Sequence, residues 1–159
     1  MEHLPIFYDG PTIIPSGPSL LGPLWLLDQM CFEVPYRRDL QDYLDWYRDH
    51  RRAQVILTVQ DGALIGALCW SQEGVVMLDR LMVHPSWRRQ GIGLGLLRRL
   101  DLELGRLAGA ETTHRITLWV AAENLGAKRF YEACGFRPVG YLPDAYGDGL
   151  DAHIMDREI

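Results

Sequence analysis

Residues Arg88-Arg89-Gln90-Gly91-Ile92-Gly93-Leu94-Gly95 stand between a β-type run and a long amphipathic stretch. Amides that open a helix have no intrahelical acceptor, and the helix dipole adds partial positive charge there. Glycine lets such a backbone approach a bound group closely, and the arginines add charge. The segment is therefore suited to holding a phosphate-like anion. A Walker loop would need Gly-Lys-Ser/Thr, which the sequence lacks, and a dinucleotide fingerprint would need glycine where Leu96 stands. A bare Gly-x-Gly is more often a turn without a ligand, so its surroundings must decide.

The remaining reactive residue types form no such pattern. Cys31, Cys69 and Cys134 are odd in number and unpaired in spacing, which points to a reducing compartment rather than a disulfide framework. The histidines (His3, His50, His84, His114, His153) show no metal-ligand spacing, so no metal is expected. Sixteen basic against twenty-one acidic residues give a net charge of −5, which argues against binding duplex nucleic acid. No apolar run approaches the roughly 20 residues of a membrane span, and no basic-then-apolar leader opens the chain. A soluble cytoplasmic protein with neither nucleic-acid nor membrane partner is expected. With 159 residues, 48% of them hydrophobic, the chain can bury its own core as one domain over 1–159.

The elements that must position the glycine-rich turn follow from periodicity and punctuation. The proline- and glycine-rich residues 1–23 leave room for a short edge strand at Thr12-Ile13-Ile14. A helix is predicted from about Gly22 to Cys31. After Phe32-Glu33-Val34-Pro35-Tyr36, a second helix is capped by Asp39, with Leu40, Tyr43, Leu44 and Tyr47 in one stripe. Strands over Gln54–Gln60, Ala63–Gln72 and Val75–Val83 are separated by Asp61-Gly62 and Glu73-Gly74. A long helix from Gly91 to about Ala108 carries Leu94, Leu97, Leu100, Leu104 and Leu107, with Gly109 closing it. A strand at 116–120, a helix from Asn124 to Cys134, and strands at 136–142 and 152–158 complete the chain. The order β-α-α-β-β-β-α-β-α-β-β describes an α+β fold, a mixed and mostly antiparallel sheet with helices on both faces.

Two segments acquire a joint meaning. Leu81-Met82-Val83-His84-Pro85 ahead of Arg-x-x-Gly-x-Gly resembles the acetyl-CoA motif of the GCN5-related N-acetyltransferase (GNAT) superfamily. Further on, Asn124-Leu125-Gly126-Ala127-Lys128-Arg129-Phe130-Tyr131-Glu132-Ala133-Cys134-Gly135-Phe136 is similar to its second signature. The close resemblance covers residues 75–137, and the element order fits the superfamily's fold over nearly the whole chain. It implies an acetyl-CoA-dependent N-acetyltransferase acting by direct attack of a primary amine. The backbones of Leu81, Met82 and Val83 would pair with the pantetheine arm. Amides from Arg88, Arg89, Gln90, Gly91, Ile92, Gly93 and Leu94 would hold the pyrophosphate, and Asn124 would contact the pantetheine region. Tyr131 would act at the thioester sulfur as general acid, and the coenzyme would enter a gap between the strands at 75–83 and 115–120. Homodimers are frequent in this superfamily.

Chemistry agrees with that reading. An amine attacking a thioester needs a deprotonated nitrogen, an oxyanion donor and a proton for the departing thiolate. An exposed strand amide such as that of Val83 could be the oxyanion donor, and a tyrosine hydroxyl can protonate a thiolate. The departure concerns the base. Strand positions that carry Glu or His in related enzymes are here Trp119 and Met77. Alternation places Asp79 on the face of Met77 and Leu81, as candidate base or water-positioning group, or as an ion-pair partner. Glu123 and His153 are weaker candidates. Trp119 either walls the acceptor pocket or packs in the core.

The acceptor is read from two further segments. Phe32–Tyr36 resembles the Phe-x-x-Pro-aromatic turn of ribosomal-protein alanine N-acetyltransferases. Asp151-Ala152-His153-Ile154-Met155, preceded by Tyr141 and Tyr146, is similar to the last strand of N-terminal acetyltransferases, the nearest members. A small-molecule amine or a peptide or protein N-terminus is the expected acceptor. The alternative is a non-catalytic CoA-binding sensor or scaffold of the same fold.

Overall fold

Apolar alternation and glycine-containing turns dictate most of the sheet. The structure, a computed structural model, describes residues 6–7, 12–13, 20–49, 54–107 and 115–159. Two short strands, β1 (Ile6–Phe7) and β2 (Thr12–Ile13), precede helices α1 (Leu21–Cys31) and α2 (Leu40–Asp49). Strands β3 (Gln54–Gln60), β4 (Ala63–Glu73) and β5 (Val75–Val83) form the expected meander. Helix α3 (Ile92–Leu107), strand β6 (Arg115–Ala121), helix α4 (Leu125–Ala133), and strands β7 (Arg137–Leu142) and β8 (Ala152–Glu158) follow. Position 14 and the expected terminal Gly109 lie outside the described residues. Strand β1 was not anticipated from sequence.

The sheet runs β1-β3-β4-β5-β6-β8-β7, with β2 also paired to β3. Every pairing is antiparallel except β5 with β6, which is parallel. Asp61 and Gly62 both have positive φ (50° and 77°), as a tight turn between β3 and β4 requires. Asp39 and Asp42 exchange reciprocal backbone-to-carboxylate hydrogen bonds of 2.8 Å, which opens α2 as a capping box.

Two cores lie on opposite sheet faces. Leu21, Leu24 and Leu27 of α1 join Tyr43 and Trp46 of α2 over Val55, Leu57, Ala67, Cys69 and Met82. On the other face, Leu96, Leu97, Leu100 and Leu104 of α3 and Tyr131 of α4 cover Ile56, Leu68, Leu78, Ile116 and Leu118. Each fully buried leucine contributes about 1.5–3 kcal/mol of transfer free energy. The stripe expected on α3 needs correction, because Leu94 is 36% and Leu107 56% exposed. The inward row is Ile92, Leu96, Leu100 and Leu104 at i+4 spacing, flanked by Leu97. Its rotation is set where Ile92 docks on β4. A Cβ placed on Gly66 would lie 2.9 Å from Ile92 Cγ2, so only glycine there lets α3 sit this low.

Strand β5 carries a bulge. Trp70 opposes Leu78 whereas Cys69 opposes Arg80, leaving Asp79 as the extra residue. The bulge overturns simple alternation. Leu81 joins Leu78 against the α3 core, while Asp79 meets Ser71 and Trp46 on the α1–α2 side.

Candidate active site

The parallel ladder between β5 and β6 is short. Cα partners run from Val76↔Ile116 to Leu78↔Leu118 and stop, although β5 continues to Val83 and β6 to Ala121. Beyond Leu78 the pairing ends, and among the described residues no strand pairs with the β6-facing edge of β5 over 79–83. This is the gap that the sequence resemblance implied and periodicity alone did not reveal.

At the end of that edge the chain turns into α3. His84 and Pro85 terminate β5 and a single 3-10 turn spans Pro85–Trp87. Arg89 (φ 62°) and Gly91 (φ 77°) are both left-handed, which turns successive amides towards one concavity. The first α3 bond in register is Gly95 N–H to Gly91 O at 2.9 Å, so the amides of Ile92, Gly93 and Leu94 precede it. No acidic side chain occupies the first turn. The positive end of α3 thus carries no neutralising carboxylate of its own. Arg88 has a different task from the charge supply expected of it. Its Nε donates to Val83 O at 3.1 Å and its Nη2 to Cys31 O at 3.3 Å, tying the turn to β5 and to α1. Cys31 Sγ also donates to Val83 O at 3.3 Å, and burial pushes its thiol pKa up against the opposing pull of Arg88.

Tyr131 is a buried residue of α4. The helix is opened by Asn124, whose side chain accepts from Ala127 N at 3.1 Å, so this asparagine acts structurally as a cap. The Tyr131 ring packs edge-on between Phe130 and Phe136, at 5.3 and 5.6 Å. Burial raises its hydroxyl well above the ordinary phenol value, with Cys134 and Tyr146 acting in the same direction. The hydroxyl therefore keeps its proton at neutral pH.

Side chains from three distant segments meet just past the end of β6. Tyr36, in the turn between α1 and α2, donates its hydroxyl hydrogen bond to Glu123 at the end of β6, and its ring meets Tyr146 edge-on at 5.0 Å. The Glu123 hydrogen bond is the largest influence on Tyr36, whose pKa is pushed up to about 12. A residue missed by sequence reasoning holds this turn in place. Arg80 pairs with fully buried Asp28 at 3.2 Å, lies 4.1 Å over the Phe32 ring and donates to Tyr36 O at 2.5 Å. Asp28 also accepts from Tyr43 Oη at 2.7 Å and Arg38 N at 2.9 Å. The available signal was a lone arginine inside the apolar run of β5.

Asp79 is elsewhere. One of its oxygens accepts from Ser71 Oγ at 2.8 Å and Trp46 Nε1 at 3.1 Å, between the bulge and α2. Trp119 is 48% exposed on the face it shares with its β8 partner Ile154, so it is not a core residue. His153 packs edge-on to Tyr141 at 5.3 Å, and Tyr141 in turn donates to Asp151. Among the described residues no helix is long and apolar enough to cross a membrane.

Comparison with known proteins gives the arrangement a context. A family model described as "Acetyltransferase (GNAT) family" matches residues 22–136. A Methanocaldococcus jannaschii protein named as an uncharacterized N-acetyltransferase is 33% identical over 94 residues, 59% of this chain and 56% of that protein. The chain spans about half the length of the curated relatives it matches. Its fold matches the Escherichia coli ribosomal-protein-S18-alanine N-acetyltransferase at TM-score 0.77 and 21% identity, covering 98% of this chain and 94% of that one. It also matches Arabidopsis thaliana Naa50, solved with the bisubstrate analogue CoA-Ac-MVNAL, at TM-score 0.73 and 21% identity over 98% and 99% of the two chains.

Proposed function

We propose a function from the premise that the chain belongs to the acetyltransferase (GNAT) family. It moves the acetyl group of acetyl-CoA to a primary amine, carried by a small molecule or by a peptide N-terminus. The observation that carries this reading is the end of the β5–β6 ladder at Leu78, beside a helix start whose first amides are unbonded within the helix. A strand edge followed by an anion-binding turn matches the two chemically distinct parts of the coenzyme, its amide-bearing arm and its pyrophosphate.

Acetyl-CoA supplies an activated thioester carbonyl when bound. Leu81, Met82 and Val83 offer backbone groups to the arm, although Val83 O must first be shared with Arg88 and Cys31. The turn from Arg88 to Leu94 holds the pyrophosphate through its amides, with Arg89 as the nearby charge. A strand amide in this stretch stabilises the oxyanion. Tyr131, kept protonated by burial, gives its proton to the leaving sulfur and regains one from the reacting nitrogen through solvent. Asp79 is assigned a supporting part, fixing the bulge and α2, and the amine loses its first proton through ordered water. The free thiols of Cys31, Cys69 and Cys134 favour a cytoplasmic setting for this reaction.

The test is thiol release from acetyl-CoA with a panel of small amines and short peptides, coupled to mass detection of the acetylated product. Equal amounts of free CoA and acetylated amine are expected. Tight CoA binding with no acetylated acceptor would overturn transfer in favour of a CoA-binding sensor, which the absence of a strand carboxylate at Trp119 would then explain.

A further inference from the structure

Gly91 and Gly93, in the turn that opens α3, stand in different surroundings. A Cβ placed on Gly91 would meet nothing within 4 Å, and its φ of 77° is left-handed. A Cβ placed on Gly93 would instead lie 3.4 Å from Phe130 Cζ, 3.7 Å from Val83 Cγ2 and 3.8 Å from Phe130 Cε2. The bare side of Gly93 is therefore occupied by the protein itself, with room for a methyl group and no more. Phe130 is half-buried on α4, where Ala127, Phe130, Tyr131 and Cys134 form the inward stripe. Its ring meets that of Tyr131 edge-on at 5.3 Å. Three elements thus converge on Phe130: the end of β5 at Val83, the start of α3 at Gly93, and α4 at Tyr131. The ends of α4 are held differently. Asn124 caps the first turn from within, and Arg157 of β8 donates to Cys134 O at 3.0 Å, so neither bond reaches α3.

We propose that Phe130 is a positioning residue that sets α4, and with it Tyr131, in register with the turn that holds the coenzyme. Gly93 gives its bare side to α4, whereas Gly91 gives its bare side to the ligand. This rests on the acetyl-transfer reading above and adds to it a residue that acts through Tyr131 and Gly93. A close-packed ring suits the task, because such a contact cannot change without shifting its neighbours. Proton transfer is sensitive to shifts of that kind, and a misplacement of about 1 Å can cost about 10²-fold in rate. The ring also backs the first turn of α3, so trimming it loosens the amides of Ile92, Gly93 and Leu94 that serve the pyrophosphate. Phe130 therefore links coenzyme binding to proton donation, two steps that Tyr131 by itself does not connect.

The experiment combines steady-state kinetics with calorimetric binding of CoA, both on the full chain. Phe130→Leu removes the ring edge that faces Gly93. It should lower kcat by about tenfold or more and weaken CoA several-fold, with acceptor KM little changed. Tyr131→Phe should lower kcat without weakening CoA, so the two variants separate positioning from proton donation. For Phe130→Leu, a kcat and a CoA affinity both within about twofold of the unmodified chain would overturn the proposal. A double-mutant cycle tests the contact itself and serves if Phe130→Leu fails to fold. Phe130→Tyr adds a hydroxyl at Cζ, and Gly93→Ala adds a methyl on the facing side of the same space. The combined variant should lose about fivefold in CoA affinity beyond the product of the two single losses, because both added groups need one space. Losses that simply multiply would refute the registration of α4 against the turn. CoA binding is read without any transfer, so the two readings fail separately. A chain that binds CoA and shows the coupling, yet acetylates no amine, overturns the transfer reading and upholds the contact.

Discussion

On the side of the gap where the coenzyme is proposed to bind, the available groups are main-chain ones: the amides of Ile92 to Leu94 and the edge of β5 that pairs with no strand among the described residues. On the side proposed for the acceptor they are side chains from three distant segments, Tyr36, Glu123 and Tyr146, with Trp119 exposed on β6. Main-chain groups are the same in every sequence that adopts the fold, so they suit a ligand that does not vary. Side chains change one residue at a time, so they suit a ligand that does. The two sides also differ in what holds them. Glycine geometry and a close helix approach fix the first, whereas a buried ion pair fixes the second.

Removal of Tyr131, the proton donor of the proposed reaction, should have the largest effect. Tyr131→Phe is expected to lower kcat by about 10²–10⁴, the usual range for a lost general acid, with KM for acetyl-CoA little changed. Steady-state kinetics would break the comparison if only KM moved. Asp28→Ala leaves Arg80 without its partner in a buried site, and should cost about 3–5 kcal/mol in denaturant unfolding. In the fraction that remains folded, acceptor KM should rise more than KM for acetyl-CoA, because Arg80 also braces the Tyr36 turn.

Gly66→Ala probes the other side. The added methyl would push on Ile92 and Leu96, so a loss of about 1–3 kcal/mol is expected, with a weaker apparent affinity for CoA by calorimetry and a smaller change in acceptor KM. Asp79→Asn should change kcat/KM less than about tenfold, since Asn can still accept from Ser71 and Trp46. A fall beyond a hundredfold at neutral pH, with CoA affinity intact, would return Asp79 to the role of base. The smallest effect is spectroscopic. Tyr36 should ionise at about 12 because the Glu123 carboxylate disfavours a neighbouring phenolate. Its contribution to stability is therefore complete below the ordinary phenol value of about 10 and is lost as pH rises through the folded value. Ultraviolet titration of Glu123→Gln should show this tyrosine ionising at lower pH.

Sequence by itself determined the elements and the glycine-rich turn. Alternation marked β3, β4 and β5, Asp61-Gly62 marked their first turn, Asp39 and Asn124 marked two helix starts, and Gly91 marked the third. These features depend on hydrogen bonds and sterics within a few residues, so they are written locally. The family was legible for the same reason, because Leu81–Gly93 and Asn124–Phe136 are contiguous. Tertiary structure decided the rest. The bulge at Asp79 moved that carboxylate away from Leu81's face, and nothing in a period-two pattern announces an extra residue. The rotation of α3 followed from docking on Gly66, which chose Ile92 and Leu96 over Leu94. Arg80 found Asp28, and Tyr36 found Glu123 across 87 residues, only because the folded sheet brings α1, β5 and β6 to one place. Such pairings are worth forming only once burial has already paid the entropy of ordering the chain, so no short window of sequence contains them.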